Sequence, residues 1–404
     1  PDQYSNDAPS HIRYIEYVAL HLRIPRADQD WLAYHPPLYY LLTGILYRLA
    51  HPYTDAIPVL RAFSLVCHLI FLLCGAATLR LFITDRALYL LASGMLAAWP
   101  SGVMSAARID SAALLYPLAA ASFYYLVQWH RKQEREMLAA CLIAAGFAVI
   151  TRSNAFILLI SVAIAAGFHL LRRTVAPGYF ARRCFALTLI LLIMTLGINM
   201  GRPIYLRLAE HKQQDLVVGN RDAMMGHQGL RVSNAPRNFT RFATETYFNT
   251  PFFSVGEDRS GRQNFWVTLL KSSLFGEFSF RQAHLAFGLT VALLGFVAFM
   301  ALPPIFYTPA RFMAAFPCVV VIASAVAGLM YNRWHVPVSP SADFRYIYFT
   351  IIPLIALFGY HLQWMKESRQ FWFLAAGWII ATAMILLSLG VYIGEFWDKD
   401  ILPH

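Results

Sequence analysis

The chain has 404 residues, of which 58% are hydrophobic, 15% aromatic and only 14% charged, against about 25% charged in an ordinary soluble domain. That balance excludes a water-soluble globular protein and points to a polytopic membrane protein. The formal net charge is +11, but the basic residues sit in short clusters between apolar runs rather than in a stripe interleaved with exposed aromatics, which argues against nucleic-acid binding.

The first distinctive stretch is NDAPSHIRY, residues 6–14. Pro9 suits the opening turn of a helix. Ile12, Ile15, Val18, Ala19 and Leu22 then recur at helical spacing while Arg13, Glu16 and His21 point elsewhere, which predicts an amphipathic helix lying along a membrane interface. Asp7 stands just before it, where free amides and the helix dipole favour an anion. A plain helix cap and a catalytic carboxylate both fit that position. After Ile24-Pro25 comes YHPPLYYLL, residues 34–42, whose two prolines exclude helix at the residue before each. His35, Tyr39 and the adjoining tyrosines read either as ligand-binding groups or as an interfacial aromatic belt. The polar start at Pro1 suggests a loop whose preceding transmembrane helix is missing, so the chain is expected to be a fragment.

Ten apolar spans follow, near 57–80, 87–107, 111–129, 137–151, 154–171, 184–201, 284–306, 313–331, 346–363 and 371–394. The expected fold is an all-α polytopic membrane protein of about ten transmembrane helices, about eleven with the missing one, and with interfacial helices in the outer loops. The fourth and fifth spans meet at Thr151-Arg152-Ser153-Asn154, a break that needs polar partners because unsatisfied backbone in lipid costs several kcal/mol. Arg86, Arg131, Lys132, Arg135, Arg172, Arg173, Arg182, Arg183, Arg311, Lys366 and Arg369 fall on one side of these spans. Only Arg108, Arg152, Arg333 and Arg345 occupy the alternate short loops, so the first set is assigned to the cytoplasm.

This organisation divides the chain into a first outer loop (1–56), a membrane block (57–201), a large outer loop (202–283) and a C-terminal membrane block (284–404). The large loop mixes aromatics with charges and is too hydrophobic for a disordered linker. Its Asn238-Phe239-Thr240 fits a glycosylation sequon, a weak three-residue match. The five cysteines lie in or beside apolar segments without CxxC spacing, which predicts packing rather than disulfides or zinc.

An acid, a histidine four residues on, RYIEY, a proline and then HPPLYY together resemble the first outer loop of the membrane C-type glycosyltransferase superfamily. That superfamily includes the protein O-mannosyltransferases and the lipid A aminoarabinose transferases. Arg61 in VLRAFSLV, Asp110 in ARIDSAALLYP, Thr151-Arg152 and ADFRYIYFTIIP occur in a matching order, all on the outer side. The resemblance implies an inverting glycosyltransferase that takes a sugar from a polyprenyl phosphate and passes it to a lipid, glycan or protein hydroxyl. It also implies a bacterial inner membrane with the active site on the periplasmic face. Asp7 would be the catalytic base. Ala8 follows it where an Asp-Glu or Asp-Asp pair is frequent, which weakens any paired-acid metal site; no cofactor is expected.

The residue types suit this chemistry independently. A lipid phosphate is a competent leaving group, so one carboxylate near the acceptor hydroxyl and cations near the departing phosphate suffice. Arg345 is the candidate phosphate clamp, with Arg152 or Lys271 as alternatives, since a guanidinium grips phosphate through two hydrogen bonds. Asp110 either orients Asp7 or binds acceptor, or forms a turn ion pair with Arg108. Glu277 binds sugar or acceptor, or is an ordinary interfacial polar residue. His11, His35 and Tyr39 are candidates to contact sugar or phosphate, and Tyr346 adjoins the clamp. The alternative class is a transporter or flippase of lipid-linked sugars. Spans apolar at their centres and the absence of an internal repeat favour the enzyme.

Overall fold

The computed structural model describes residues 7–172, 197, 201, 204–211, 221–301 and 308–401. The predicted span 184–201 lies almost wholly outside the described residues, as does Cys184. The regular elements described are helical, joined by short 3-10 turns and one isolated antiparallel bridge between Arg231 and Val338. The chain divides into two compact units.

The first unit comprises Pro1–Cys74 and Ser105–Gly226. Helix α1 (Ala8–His21) carries Pro9 in its first turn and buries His11, Tyr14, Ile15, Val18 and Ala19. The predicted apolar stripe therefore holds over Ile15, Val18 and Ala19, but the buried face also takes in a histidine and a tyrosine. Leu22 is 67% exposed and closes the helix in a left-handed conformation. Helix α2 (Leu38–Ala50) begins directly after Pro36-Pro37 and packs back on α1. The Tyr14 and Tyr40 rings stack with centroids 3.6 Å apart. Gly44 permits this approach: a Cβ there would sit 2.8 Å from Val18 Cγ1.

Helix α3 (Ala56–Phe82) starts in this unit and contributes Leu60 to its core. Helices α4 (Arg86–Ala97) and α5 (Pro100–Ser105) lead to α6 (Ala112–Lys132), which forms an antiparallel hairpin with α7 (Arg135–Val149). A 3-10 turn at Ser153–Ala155 then enters α8 (Phe156–Leu171). The break between α7 and α8 has the polar partners its depth requires: Thr151 Oγ1 donates to Phe147 O, Leu38 N donates to Ile150 O, and Arg152 turns inward.

The second unit comprises Gly75–Met104 and His227–His404. After a six-residue helix α9 (Arg221–Gly226) at the end of the first unit, it holds two short helices, α10 (Arg237–Thr240) and α11 (Thr244–Asn249), and the apolar α12 (Phe265–Phe275). The long helices α13 (Ala283–Ala301), α14 (Pro309–His335), α15 (Ile351–Glu367) and α16 (Phe371–Ile401) complete it. The predicted span 87–107 is interrupted: Pro100 ends the ladder after α4, and α5 restarts as a single short helix. Ser388 Oγ donates to Ala98 O and Tyr392 OH to Pro100 O, so α16 satisfies the carbonyls the break frees.

Among the described residues, six segments are long and apolar enough to cross a membrane: Ala56–Phe82, Ser153–Leu171, Ala283–Ala301, Pro309–His335, Ser339–Glu367 and Phe371–Glu395. The described residues thus support an integral membrane protein without reaching ten spans. Helix α7 has 15 residues, roughly 22 Å of rise against a hydrocarbon core of about 30 Å. Leu38–Ala50, Arg86–Ala97 and Phe265–Phe275 are apolar but shorter still.

Candidate active site

Two polar clusters hold most of the candidate residues, one in each unit. In the first unit Asp7 occupies the N-cap position of α1, half-buried and with helical backbone angles (φ −90°, ψ −7°), and its carboxylate makes no capping hydrogen bond. The plain cap reading is therefore not realised. One turn on, His11 is 1% exposed; its Nδ1 lies 2.9 Å from Tyr40 OH and its Nε2 3.5 Å from Asp110 Oδ1.

Asp110 comes from the turn before α6. Arg152 Nη1, from the break between α7 and α8, donates to Asp110 Oδ1 at 2.8 Å, and the Ala112 amide donates to the same oxygen at 2.9 Å. Sequence spacing offered Arg108 as its partner. The structure also brings in Arg152 from across the helical hairpin, and the charges of both Arg152 and Arg108 favour the ionised Asp110.

Burial opposes ionisation of Asp110, but Arg152, His11, Arg108 and the Ala112 amide together outweigh it and hold the carboxyl well below the usual range. Burial pushes the His11 imidazole down to about 4; Asp110 and Asp7 pull it up and Arg152 and Arg108 push it further down. At neutral pH the pair is thus an ionised Asp110 beside a neutral His11, so the ion pair in this network is Asp110 with Arg152. Asp110 can only accept, which assigns the imidazole proton to Nε2 and leaves Nδ1 to accept from the Tyr40 hydroxyl. Burial and Asp110 also raise the Tyr40 phenol well above its ordinary range, keeping it a donor.

His35 stacks on this group, its ring 6.1 Å from that of His11, and its carbonyl accepts from Tyr14 OH at 3.4 Å. Tyr39 meets Tyr40 edge-on at 5.3 Å and is fully buried. Asp7, His11, His35, Tyr39, Asp110 and Arg152 are therefore neighbours in one unit, although their positions span nearly 150 residues of sequence. Tyr14 joins them without having been singled out, and Tyr40, read only as one of the tyrosines of YHPPLYYLL, does so as the partner of His11. Their signal was the one-face periodicity of α1 and α2, legible only once α2 is recognised as a helix.

In the second unit a 3-10 helix at Phe344–Thr350 is capped by Asp343, whose Oδ1 accepts from the Arg345 amide at 2.8 Å. The Arg345 guanidinium lies 3.6 Å from Glu277 Oε1 and 3.6 Å from Asp343 Oδ2, and sits over the Tyr346 ring with 5.4 Å to the centroid. Its side chain is 15% exposed, so the charge is largely sheltered yet reachable. Asp343 was overlooked, although the ADFR string places an acid two residues before the arginine.

Lys271 belongs to neither arrangement. It is fully buried in α12 and donates to Thr246 O at 2.8 Å and Ser260 O at 2.9 Å, with its ammonium 5.9 Å from the Tyr247 ring centroid. Burial lowers its pKa to about 8. Its donors hold two loop carbonyls, an arrangement that ties the large loop together. Among the described residues, no group of three or more His, Cys, Asp or Glu side chains is placed to hold a metal ion.

No family model and no curated protein matches the chain. Two solved structures do: ArnT from Cupriavidus metallidurans bound to undecaprenyl phosphate, at 12% identity, and the same protein in the apo state, at 13%. Each match has a TM-score of 0.39 and covers 86% of this chain and 71% of the ArnT chain.

Proposed function

We propose that this protein is an integral membrane glycosyltransferase that moves a sugar from a polyprenyl phosphate to an acceptor hydroxyl, with inversion at the anomeric carbon. The observation that carries the reading is Asp7: a half-buried carboxylate at a helix N-cap, making no cap, beside the buried His11–Asp110–Arg152 network. The N-terminal resemblance gives that position to the base, and the geometry is compatible with it.

In this reading the acceptor oxygen attacks the anomeric carbon, its proton passes to the Asp7 carboxylate, and the sugar–phosphate C–O bond breaks to release polyprenyl phosphate. Asp110 is already paired with Arg152 and accepts from the Ala112 amide, and His11 is neutral with both ring nitrogens engaged. Neither suits the base role, and both serve better to fix the first turn of α1. Arg345, sheltered between two carboxylates and over Tyr346, is the cation best suited to phosphate, which it would bind as a charge-assisted fork. Undecaprenyl-type donors, a periplasmic site in a bacterial inner membrane, and a lipid, glycan or protein acceptor belong to this proposal. The sugar, pentose or hexose, is left open by it.

The test supplies purified protein with labelled polyprenyl-phosphate sugar and membrane extract. Transfer to a new glycoside is expected from the wild type and a loss of at least a hundredfold from Asp7→Asn, the scale of a missing general base. Undiminished transfer by Asp7→Asn would overturn the base assignment. Movement of intact donor across vesicles with no glycoside formed would favour a lipid-linked sugar transporter instead.

A further inference from the structure

Residues 237–248 of the second unit belong to neither polar cluster, yet they are held firmly against the ends of two membrane-length helices. Phe239 in α10 lies 5.8 Å from Trp334, the penultimate residue of α14, and stacks on Phe265 at 5.9 Å. Phe248 in α11 lies 6.1 Å from Phe287, in the second turn of α13. Tyr247 OH donates to Thr290 O, Trp266 Nε1 to Phe239 O and Asn264 Nδ2 to Arg241 O. The segment thus runs from the last turn of one membrane-length helix to the first turns of another.

Its exposed side chains include both aromatic rings and guanidinium groups. Phe242 is 37% exposed, Phe248 40%, and on the adjoining helix end Tyr331 is 61% and Trp334 57% exposed. Arg237 and Arg241, one helical turn apart, are exposed, and among the described residues neither has an acidic partner. Between His227 and Thr244 the sequence has three arginines and no acid; Glu245 is the first. Sorting by basic residues assigns this loop to the non-cytoplasmic side, where uncompensated arginines run against the usual bias. Water alone would solvate the arginines but not account for four exposed aromatic rings beside them. A bilayer boundary suits both, since rings settle at headgroup depth while guanidinium groups reach the phosphates.

We propose that residues 237–248 form an interfacial binding site for anionic phospholipid headgroups of the surrounding bilayer. Arg237 and Arg241 contact the phosphates, and Phe242 and Phe248 sit at the acyl boundary. The occupant is the bilayer's own lipid, and the site does not depend on the glycosyltransferase reading.

Full-length protein, purified in mild detergent, would be given equimolar phosphatidylglycerol and phosphatidylcholine, and retained lipid counted by native mass spectrometry. Phosphatidylglycerol should be retained preferentially, with the preference falling about fivefold for each arginine removed in Arg237→Gln and Arg241→Gln and weakening as salt rises. Arg237→Lys/Arg241→Lys should keep most of it, because charge rather than fork geometry carries the contact. Equal retention of the two lipids by the wild type, or unchanged preference in the double glutamine variant, would overturn the proposal. So would a salt-independent protein complex formed through this face.

Discussion

Arg152 donates to Asp110 at 2.8 Å from 42 positions further along the chain, and both side chains are almost completely buried. The bond links the turn before α6 to the break before α8, the two ends of an antiparallel hairpin. It also supplies the charge that keeps Asp110 ionised next to a neutral His11. Removing one partner leaves the other as a buried uncompensated charge, which costs far more than the intact pair contributes.

Arg152→Met should therefore destabilise the protein by about 3–5 kcal/mol, the range for breaking a buried pair. Asp110→Asn/Arg152→Met should lose clearly less than the sum of the two single variants. A thermal double-mutant cycle in detergent measures this, and strictly additive losses would show that the pair is not coupled.

His11 makes stability depend on pH in a defined direction. Its folded pKa of about 4 lies below the ordinary 6.5, so between those values the unfolded chain binds a proton that the folded chain excludes. Stability must rise with pH from about 4 to about 6.5 and level off above, by a few kcal/mol at most. Asp110 acts lower: its depressed pKa contributes stability that is lost only as pH falls below the ordinary carboxylate range. Unfolding midpoints should depend less steeply on pH between 4 and 7 in His11→Gln than in the wild type. An unchanged slope in that variant would show that His11 does not contribute to it.

Lys271 distinguishes a structural tie from a ligand site. Lys271→Met keeps the volume but leaves the Thr246 and Ser260 carbonyls without their donor, at about 1–3 kcal/mol in all. Proteolysis of the 244–265 segment should accelerate, while affinity for a polyprenyl-phosphate donor changes less than threefold. A selective loss of donor affinity in a normally protected protein would restore Lys271 as a phosphate ligand.

Arg345 gives the converse pattern in donor binding. Arg345→Gln should weaken donor binding about tenfold to a hundredfold, the worth of hydrogen bonds to a charged group, and should also lower the unfolding midpoint, because the largely buried Glu277 and Asp343 carboxylates lose a cation. Arg345→Lys should recover only part of the affinity, because an ammonium lacks the planar fork. Equal donor affinity in wild type and Arg345→Gln would exclude the clamp.

The sequence by itself determined the helical class, the approximate positions of the long apolar segments and the break at 151–154. These follow from composition, apolar run length and local backbone chemistry, which neighbouring residues settle among themselves. It also supplied Asp7, His11, His35, Asp110, Arg152 and Arg345 as individual candidates. It did not show that Pro100 divides the second span, or that α2 is a helix whose Tyr40 completes the hydrogen bonding of His11. Only tertiary structure decided which charges meet. The Asp110–Arg152 bond, the neutral state of His11 and the tying of Lys271 to loop carbonyls depend on groups far apart in the chain. The strength of each depends on burial, and burial is set by packing rather than by sequence spacing.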